Sequence, residues 1–233
     1  VKPFQRVALT DFNSPDYLIV LLALWRMRAV ACPLSYRFPR AMLLRILQNI
    51  DCRFIVSHRP EILASREIPL KKLRFEDVVS FRPTRVETTK ISFKISLDQE
   101  ATIIHTSGSS GDPKAVLHTY GNHYRNALGA NDNISLGPGD RWLLSLPLYH
   151  VGGLGILFRV ILAGAALVIP QKDEKLFGVI SKYKITHLSL VTTQLYRLLQ
   201  STSNRKRLSR LKALLLGGGP TPTSLLEKSI SCG

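Results

Sequence analysis

The sequence predicts an α/β fold in which layered, mostly parallel sheets are covered by helices. Two observations predict it. Short runs of aliphatic and β-branched residues alternate along the chain with amphipathic segments of helical length. With 233 residues and 45% hydrophobic content, the chain can also bury a large core without a disulfide or a metal. Strands joined by helices in this alternation are expected to pair in parallel, because a helical crossover returns the chain to the same edge of the sheet.

The first ninety residues show this alternation in five consecutive segments. The predicted strands are RVALTD (6–11), AVACPL (29–34) and CRFIVSH (52–58), and the predicted helices are SPDYLIVLLALWRMR (14–28) and PRAMLLRILQNI (39–50). We expect the first helix to begin with Ser14 as its N-cap and Pro15 at its first position, since both residue types favour those positions.

Residues 59–97 have a weaker pattern, with three prolines and mixed charge, and we expect an irregular connection there with one short helix. The chain is thereby divided into expected lobes at 1–90 and 96–233. In the second lobe the predicted strands are ATIIHT, KAVLHT, RWLLSLP, AALVIP, THLSLV and LKALLLGG, and the predicted helices are YGNHYRNALGAN, GLGILFRVILAG, DEKLFGVISKY and TTQLYRLLQS. The final residues, LLEKSISCG, resemble a helix and its cap, so we expect the domain to be incomplete.

Composition narrows the classes of partner. The net charge of +16 favours polyanions such as nucleotides, CoA or nucleic acid. The basic run RKRLSRLK (205–212) has no interleaved aromatic residues for base stacking, which weighs against nucleic acid. Arginines interrupt both long apolar stretches, so no membrane span is expected. Three scattered cysteines without metal-ligand spacing indicate reduced thiols and a cytoplasmic location.

A loop rich in glycine and hydroxyl groups follows the strand ATIIHT. Gly108 and Gly111 permit close backbone approach, and a mobile cation follows at Lys114. The hydroxyl donors of the loop are Thr106, Ser107, Ser109 and Ser110. Such a loop can surround a polyphosphate with donors. The Walker spacing and the dinucleotide GxGxxG pattern are both absent, and a second strand, not a helix, follows. A flexible hairpin without a ligand is the alternative.

Three segments together are similar to the adenylate-forming enzymes, which include acyl-CoA synthetases, luciferases and adenylation domains. They are HTSGSSGDPKAV (105–116), LPLYHVGGLG (146–155) and LLLGGGPTP (214–222), in the family's order. The whole chain resembles the first half of the large N-terminal domain, with the C-terminal part and the small C-terminal domain outside it. Within the family, LPLYHVGGLGILFR and THLSLVTTQLYRLL are most similar to the o-succinylbenzoate:CoA ligases of menaquinone and phylloquinone biosynthesis. His105, Ala115 and Thr192 depart from the family's usual aromatic, glycine and proline.

The resemblance implies an AMP-forming acid–thiol ligase that uses ATP, Mg²⁺ and CoA. Lys114 and His150 would be catalytic, and the 106–111 loop would hold the ATP phosphates. The backbone of Gly217, Gly218, Gly219 and Pro220 would lie against adenine, an alternative to a plain strand-to-helix turn. His150, Arg159 and Thr193 would contact the acid. No metal-ligating residue is assigned, because the family's further functional segments follow Gly233, so we expect residues 1–233 alone to be inactive.

Arg159 is the one charged residue between His150 and Lys172. A guanidinium in an apolar helix either reaches solvent or faces an anion. o-Succinylbenzoate has a second, aromatic carboxylate that such an arginine could bind. Two other functions stay open: a CoA ligase for another fatty or aryl acid, and a catalytically incomplete nucleotide-binding fragment or basic nucleic-acid-binding module. Homo-oligomer formation is also left open.

Overall fold

The computed structural model describes residues 1–80, 94–106, 113–171, 173–200 and 208–232. Two compact units can be distinguished. Unit 1 comprises Val1–Arg125 with Leu148–Val151, and unit 2 comprises Asn126–Pro147 with Gly152–Gly233. The division therefore falls after Arg125, whereas the sequence places it within residues 59–97.

Unit 1 is built on a six-stranded sheet. Its elements are β1 (Arg6–Thr10), α1 (Pro15–Arg26), β2 (Val30–Pro33), α2 (Arg40–Asn49), β3 (Phe54–Ser57), α3 (Pro60–Leu63), β4 (Lys71–Leu73), α4 (Phe75–Val79), β5 (Glu100–Thr106) and β6 (Lys114–Thr119). The strand order is β4-β3-β1-β2-β5-β6. Strands β1 to β5 pair in parallel, and β6 is antiparallel to β5.

Local sequence signals explain where the helices of unit 1 begin. The Oγ of Ser14 accepts a hydrogen bond from the backbone N–H of Tyr17 at 3.0 Å, and Pro15 occupies the first turn of α1, both as predicted. Helix α2 buries Leu43, Ile46 and Leu47 against the sheet, in a core cluster that it shares with β1, β2 and β3. The segment 59–80, expected to hold one short helix, contains the two short helices α3 and α4 and the strand β4.

Unit 2 is built on a four-stranded parallel sheet in the order β10-β9-β7-β8. Helix α5 (Tyr120–Asn133) begins in unit 1 and ends in unit 2, and α6 (Val151–Ala163) has its first residue in unit 1. The further elements are β7 (Arg141–Leu143), β8 (Ala166–Val168), α7 (Leu176–Lys182), β9 (His187–Val191), α8 (Thr192–Leu199), β10 (Ala213–Gly217) and α9 (Thr223–Ile230).

The core of unit 2 lies between this sheet and helices α7 and α8. Leu188, Leu195 and Leu198 are fully buried and belong to one cluster. Strand β7 is shorter than the predicted 141–147, because the chain leaves the ladder at Ser145, whose hydroxyl donates to the carbonyl of Ser189. The predicted α/β class with mostly parallel, helix-covered sheets is confirmed. In the described part of the chain, no helix has the length and apolarity needed to cross a bilayer.

Candidate active site

A cavity of about 650 Å³ lies in unit 1 at the carboxyl ends of β2 and β5. Its apolar lining consists of Pro33, Phe38, Pro39, Met42, Ile104, Pro113 and Val151, and its polar lining consists of Ser35, Arg37, His105, Thr106, Tyr149 and His150. Open α/β sheets bind ligands at the carboxyl ends of their strands, so the position is that of a ligand site. None of these described lining residues is acidic, which favours an anionic ligand.

His150, predicted to be catalytic, lies at this cavity and is held there by its two preceding residues. The backbone N–H of Leu148 donates to Oδ1 of Asn13 at 2.9 Å. The ring of Tyr149 meets the ring of Tyr36 edge-on, with centroids 5.8 Å apart, and lies 4.6 Å from the ring of His150. Partial burial lowers the pKa of His150 below its ordinary value. At pH 7 the imidazole is therefore neutral and can donate one hydrogen bond and accept another.

The two ends of the predicted phosphate loop meet beside the same cavity. Thr106 and Lys114 are register partners at the end of the antiparallel pair of β5 and β6, and both side chains are exposed. Thr106 lines the cavity, whereas Lys114 does not. The other predicted loop residues, Ser107, Gly108, Ser109, Ser110 and Gly111, lie outside the described residues. The structure thus brings Thr106 and His150 to one cavity, with Lys114 at the base of the adjacent hairpin.

In unit 2 the predicted adenine-binding segment begins with Gly217, the last residue of β10. Gly217, Gly218, Gly219 and Pro220 are all exposed. Gly218 has φ = 86°, and a Cβ at this position would lie 3.2 Å from Cγ1 of Val191. The positive φ favours glycine at this position, and an added Cβ would also press on Val191. The result is a bare backbone surface at the carboxyl end of the sheet, which is the kind of surface that a flat purine can cover.

Thr192, where the resembled family has proline, begins α8 and ties this turn to the helix. Its Oγ1 lies 2.8 Å from Oγ1 of Thr221. The next residue, Thr193, is exposed and lines a groove of about 770 Å³ between α8 and α9, together with Tyr196, Leu225 and Lys228. In unit 2 the structure therefore places the predicted Thr193 close to the segment that follows the glycines.

Arg159 lies on α6 and is half-buried. Its Cζ lies 5.6 Å from the ring centroid of the fully buried Trp142, in cation–π geometry. Its Nε is buried and has no hydrogen-bond partner among the described residues. A Cβ on Gly155 would lie 3.7 Å from Nη2 of Arg159, so the guanidinium packs along its own helix. Burial lowers the pKa of Arg159 from its ordinary value. A guanidinium in this setting stays charged, because its pKa starts above 12.

Four polar lining residues of the cavity were given no binding or catalytic role from the sequence: Ser35, Arg37, His105 and Tyr149. Arg37 and Ser35 follow β2 and come to the cavity because β2 pairs with β5, through Ala31 and Thr102. That pairing joins segments some seventy residues apart and has no local signal. The alternation of β5 could have indicated that His105 faces the same side as Ile103, but not that a cavity lies there.

The described residues contain no group of three His, Cys, Asp or Glu side chains able to hold a metal ion. The Mg²⁺ that the resemblance implies therefore has no protein ligand set in the described part of the chain. The basic run at 205–212 lies partly outside the described residues.

The sequence profile of the AMP-binding enzyme family matches residues 1–232. The chain belongs to this family.

Among curated relatives, the 2-succinylbenzoate–CoA ligase of Bacillus cytotoxicus is 34% identical over 235 aligned residues, which cover 100% of this chain and 47% of the relative. The Bacillus pumilus ligase of the same name is 42% identical over 142 residues, covering 60% of this chain and 29% of the relative. The chain spans about half the length of the curated relatives that it matches over its full extent.

Solved structures agree with the sequence comparison. The o-succinylbenzoate CoA synthetase (MenE) of Bacillus subtilis, in complex with the acyl-adenylate intermediate OSB-AMP, superposes with a TM-score of 0.88 at 27% identity, covering 100% of this chain and 60% of that chain. Wild-type E. coli MenE, with a bound analogue of OSB-AMS, superposes with a TM-score of 0.79 at 31% identity. The match covers 100% of this chain and 48% of that chain.

Proposed function

We propose that this chain is part of an ATP-dependent ligase that converts o-succinylbenzoate to its CoA thioester through an acyl-adenylate, in menaquinone or phylloquinone biosynthesis. One structural observation supports the choice of acid. Arg159 keeps a charged, half-buried guanidinium on an apolar helix, with Nε unpartnered among the described residues. A diacid has a second carboxylate for such a group, whereas a fatty acid has none.

In the first half-reaction, an oxygen of the succinyl carboxylate forms a bond to the α-phosphorus of ATP, and the bond from that phosphorus to the bridging oxygen breaks. Pyrophosphate leaves with its electrons. Lys114 and the hydroxyl of Thr106 are proposed to stabilise the charge that develops on this leaving group. The glycine turn at 217–220 would hold the adenine.

In the second half-reaction, the sulfur of CoA forms a bond to the acyl carbonyl carbon, the carbonyl–oxygen bond to AMP breaks, and the thiol proton passes to solvent. Neutral His150 is proposed to hold an oxygen of the acyl group by donating a hydrogen bond, and Thr193 to contact the acid. Neither step requires a covalent enzyme intermediate, so positioning and charge stabilisation carry the catalysis.

Mg²⁺ would accompany ATP and neutralise part of its charge. We also propose a cytoplasmic location, which the three free cysteines support, since thiols persist in a reducing compartment.

The test is acid-dependent exchange of labelled pyrophosphate into ATP by the complete natural polypeptide. o-Succinylbenzoate should support exchange, while benzoate and hexanoate should support little. Equal exchange with hexanoate would instead favour a ligase for another acid. Binding of ATP with no exchange for any acid would favour a nucleotide-binding role without catalysis.

A further inference from the structure

His105 lies on β5 and is 8% exposed, yet its ring lines the cavity of unit 1. Its Nδ1 is buried and has no hydrogen-bond partner among the described residues. Nε2 is not among the buried atoms without a partner, so it is the ring nitrogen that can face the cavity.

The protonation state of this ring follows from its surroundings. Burial lowers the pKa of His105 below its ordinary value, so the imidazole is neutral at pH 7 and carries one proton. A buried N–H without an acceptor is a rarer and costlier defect than an unused lone pair. The proton therefore belongs on Nε2, which makes His105 a hydrogen-bond donor toward the cavity.

The groups around His105 indicate what it donates to. Arg37 supplies positive charge, and Ser35 and Thr106 supply hydroxyl donors, while none of the described lining residues is Asp or Glu. Such a set of donors suits an oxygen-rich anion. The cavity of about 650 Å³ is larger than one phosphate, so it has room for the group to which a phosphate is attached.

We propose that His105 is a substrate-binding residue that donates a hydrogen bond from Nε2 to a phosphate oxygen of the ligand in this cavity. The inference rests on the proposed function only for the source of that phosphate, which is ATP or CoA. The side chain was given no role on sequence grounds, and the resembled family usually has an aromatic residue at this position, so the contact would be a feature of this chain.

Three substitutions of His105 separate the effect of its hydrogen-bond donor from the effect of its ring shape. His105→Gln places an amide nitrogen near the position of Nε2, His105→Asn places one near Nδ1, and His105→Phe keeps a ring without a donor. We expect the Kd for ATP or for CoA to rise about tenfold or more in the Phe and Asn variants, as for a lost hydrogen bond to a charged group. The Gln variant should stay within about threefold of the wild type.

Binding of ATP and of CoA is measured separately by calorimetry on the complete natural polypeptide, which identifies the source of the phosphate. No acid substrate is present, so failure of the o-succinylbenzoate assignment leaves this result unaffected. Gln binding as weakly as Phe, or unchanged affinity for both ligands in all variants, would overturn the proposal.

A measurement on the unsubstituted protein makes the test independent of the folding of the variants. With ¹⁵N-labelled histidine, the free protein should show His105 protonated at Nε2. The Nε2 resonance should shift on saturation with the ligand that calorimetry identifies. A proton on Nδ1, or a resonance that is unchanged by both ATP and CoA, contradicts the proposal.

Discussion

Replacing Arg159 by leucine tests how the acid is selected. The guanidinium lies over Trp142 at 5.6 Å and has an unpartnered, buried Nε among the described residues. Loss of the cation–π contact costs about 1 kcal/mol, and removal of the buried, unpartnered Nε offsets part of this cost. The free energy of unfolding should therefore change little. Loss of the partner of a desolvated carboxylate costs about 2 to 5 kcal/mol, or at least roughly 30-fold in kcat/KM for o-succinylbenzoate.

The assay compares kcat/KM for o-succinylbenzoate with that for benzoylpropionate, which lacks only the aromatic carboxylate. Arg159→Leu should lower the first value and leave the second nearly unchanged. Arg141→Leu is the matched control, because Arg141 is exposed and its Nη1 donates to the carbonyl of Tyr183 in the same unit. A proportional loss with both acids, or no loss with either, would refute the assignment of Arg159 to the second carboxylate.

Three further predictions concern single residues. Lys114→Ala should slow pyrophosphate exchange by about 10- to 100-fold if the charge of Lys114 binds the leaving group. Lys71 is an exposed lysine of the same sheet, so Lys71→Ala should not slow the exchange. Equal rates for the two variants would remove Lys114 from the mechanism. Gly218→Ala should lower the free energy of unfolding in urea by about 1 to 2 kcal/mol. Gly217→Ala should lower it by much less, because its added methyl group would have no atom beyond the two neighbouring residues within 4 Å. Similar values for the two variants would contradict the strain argument. Burial lowers the pKa of His123 to about 4. The unfolded chain therefore takes up a proton that the folded chain does not, and stability should fall by about 3 kcal/mol between pH 6.5 and pH 4. His123→Gln should flatten this dependence, and an unchanged slope would show that another group causes it.

Local sequence patterns predicted most of the helices and strands, because the start and the buried face of these elements depend on residues close together in the chain. Ser14 and Pro15 mark the start of α1, and the apolar spacing of α2 matches the face that is buried. The predicted end of β7 was wrong, because the backbone N–H of Ser145 bonds the carbonyl of Leu143 and only its hydroxyl reaches the adjacent strand β9.

The division into units depends on pairings that no local pattern contains. Strand β5 joins the first sheet through its parallel pairing with β2, and β6 joins through β5. Unit 1 therefore extends to Arg125 and does not end within residues 59–97. For the same reason the sequence predicted roles for His150 and Thr106, but it did not predict the cavity that Arg37 and His105 line with them.

The central claim is that this chain belongs to an enzyme that activates o-succinylbenzoate. The most direct measurement is mass spectrometry of the products that the complete natural polypeptide forms from o-succinylbenzoate, ATP, Mg²⁺ and CoA. We expect o-succinylbenzoyl-CoA and AMP in equal amounts, with an acyl-adenylate in their place when CoA is omitted. ATP hydrolysis to ADP, or no acid-dependent formation of AMP, would contradict it.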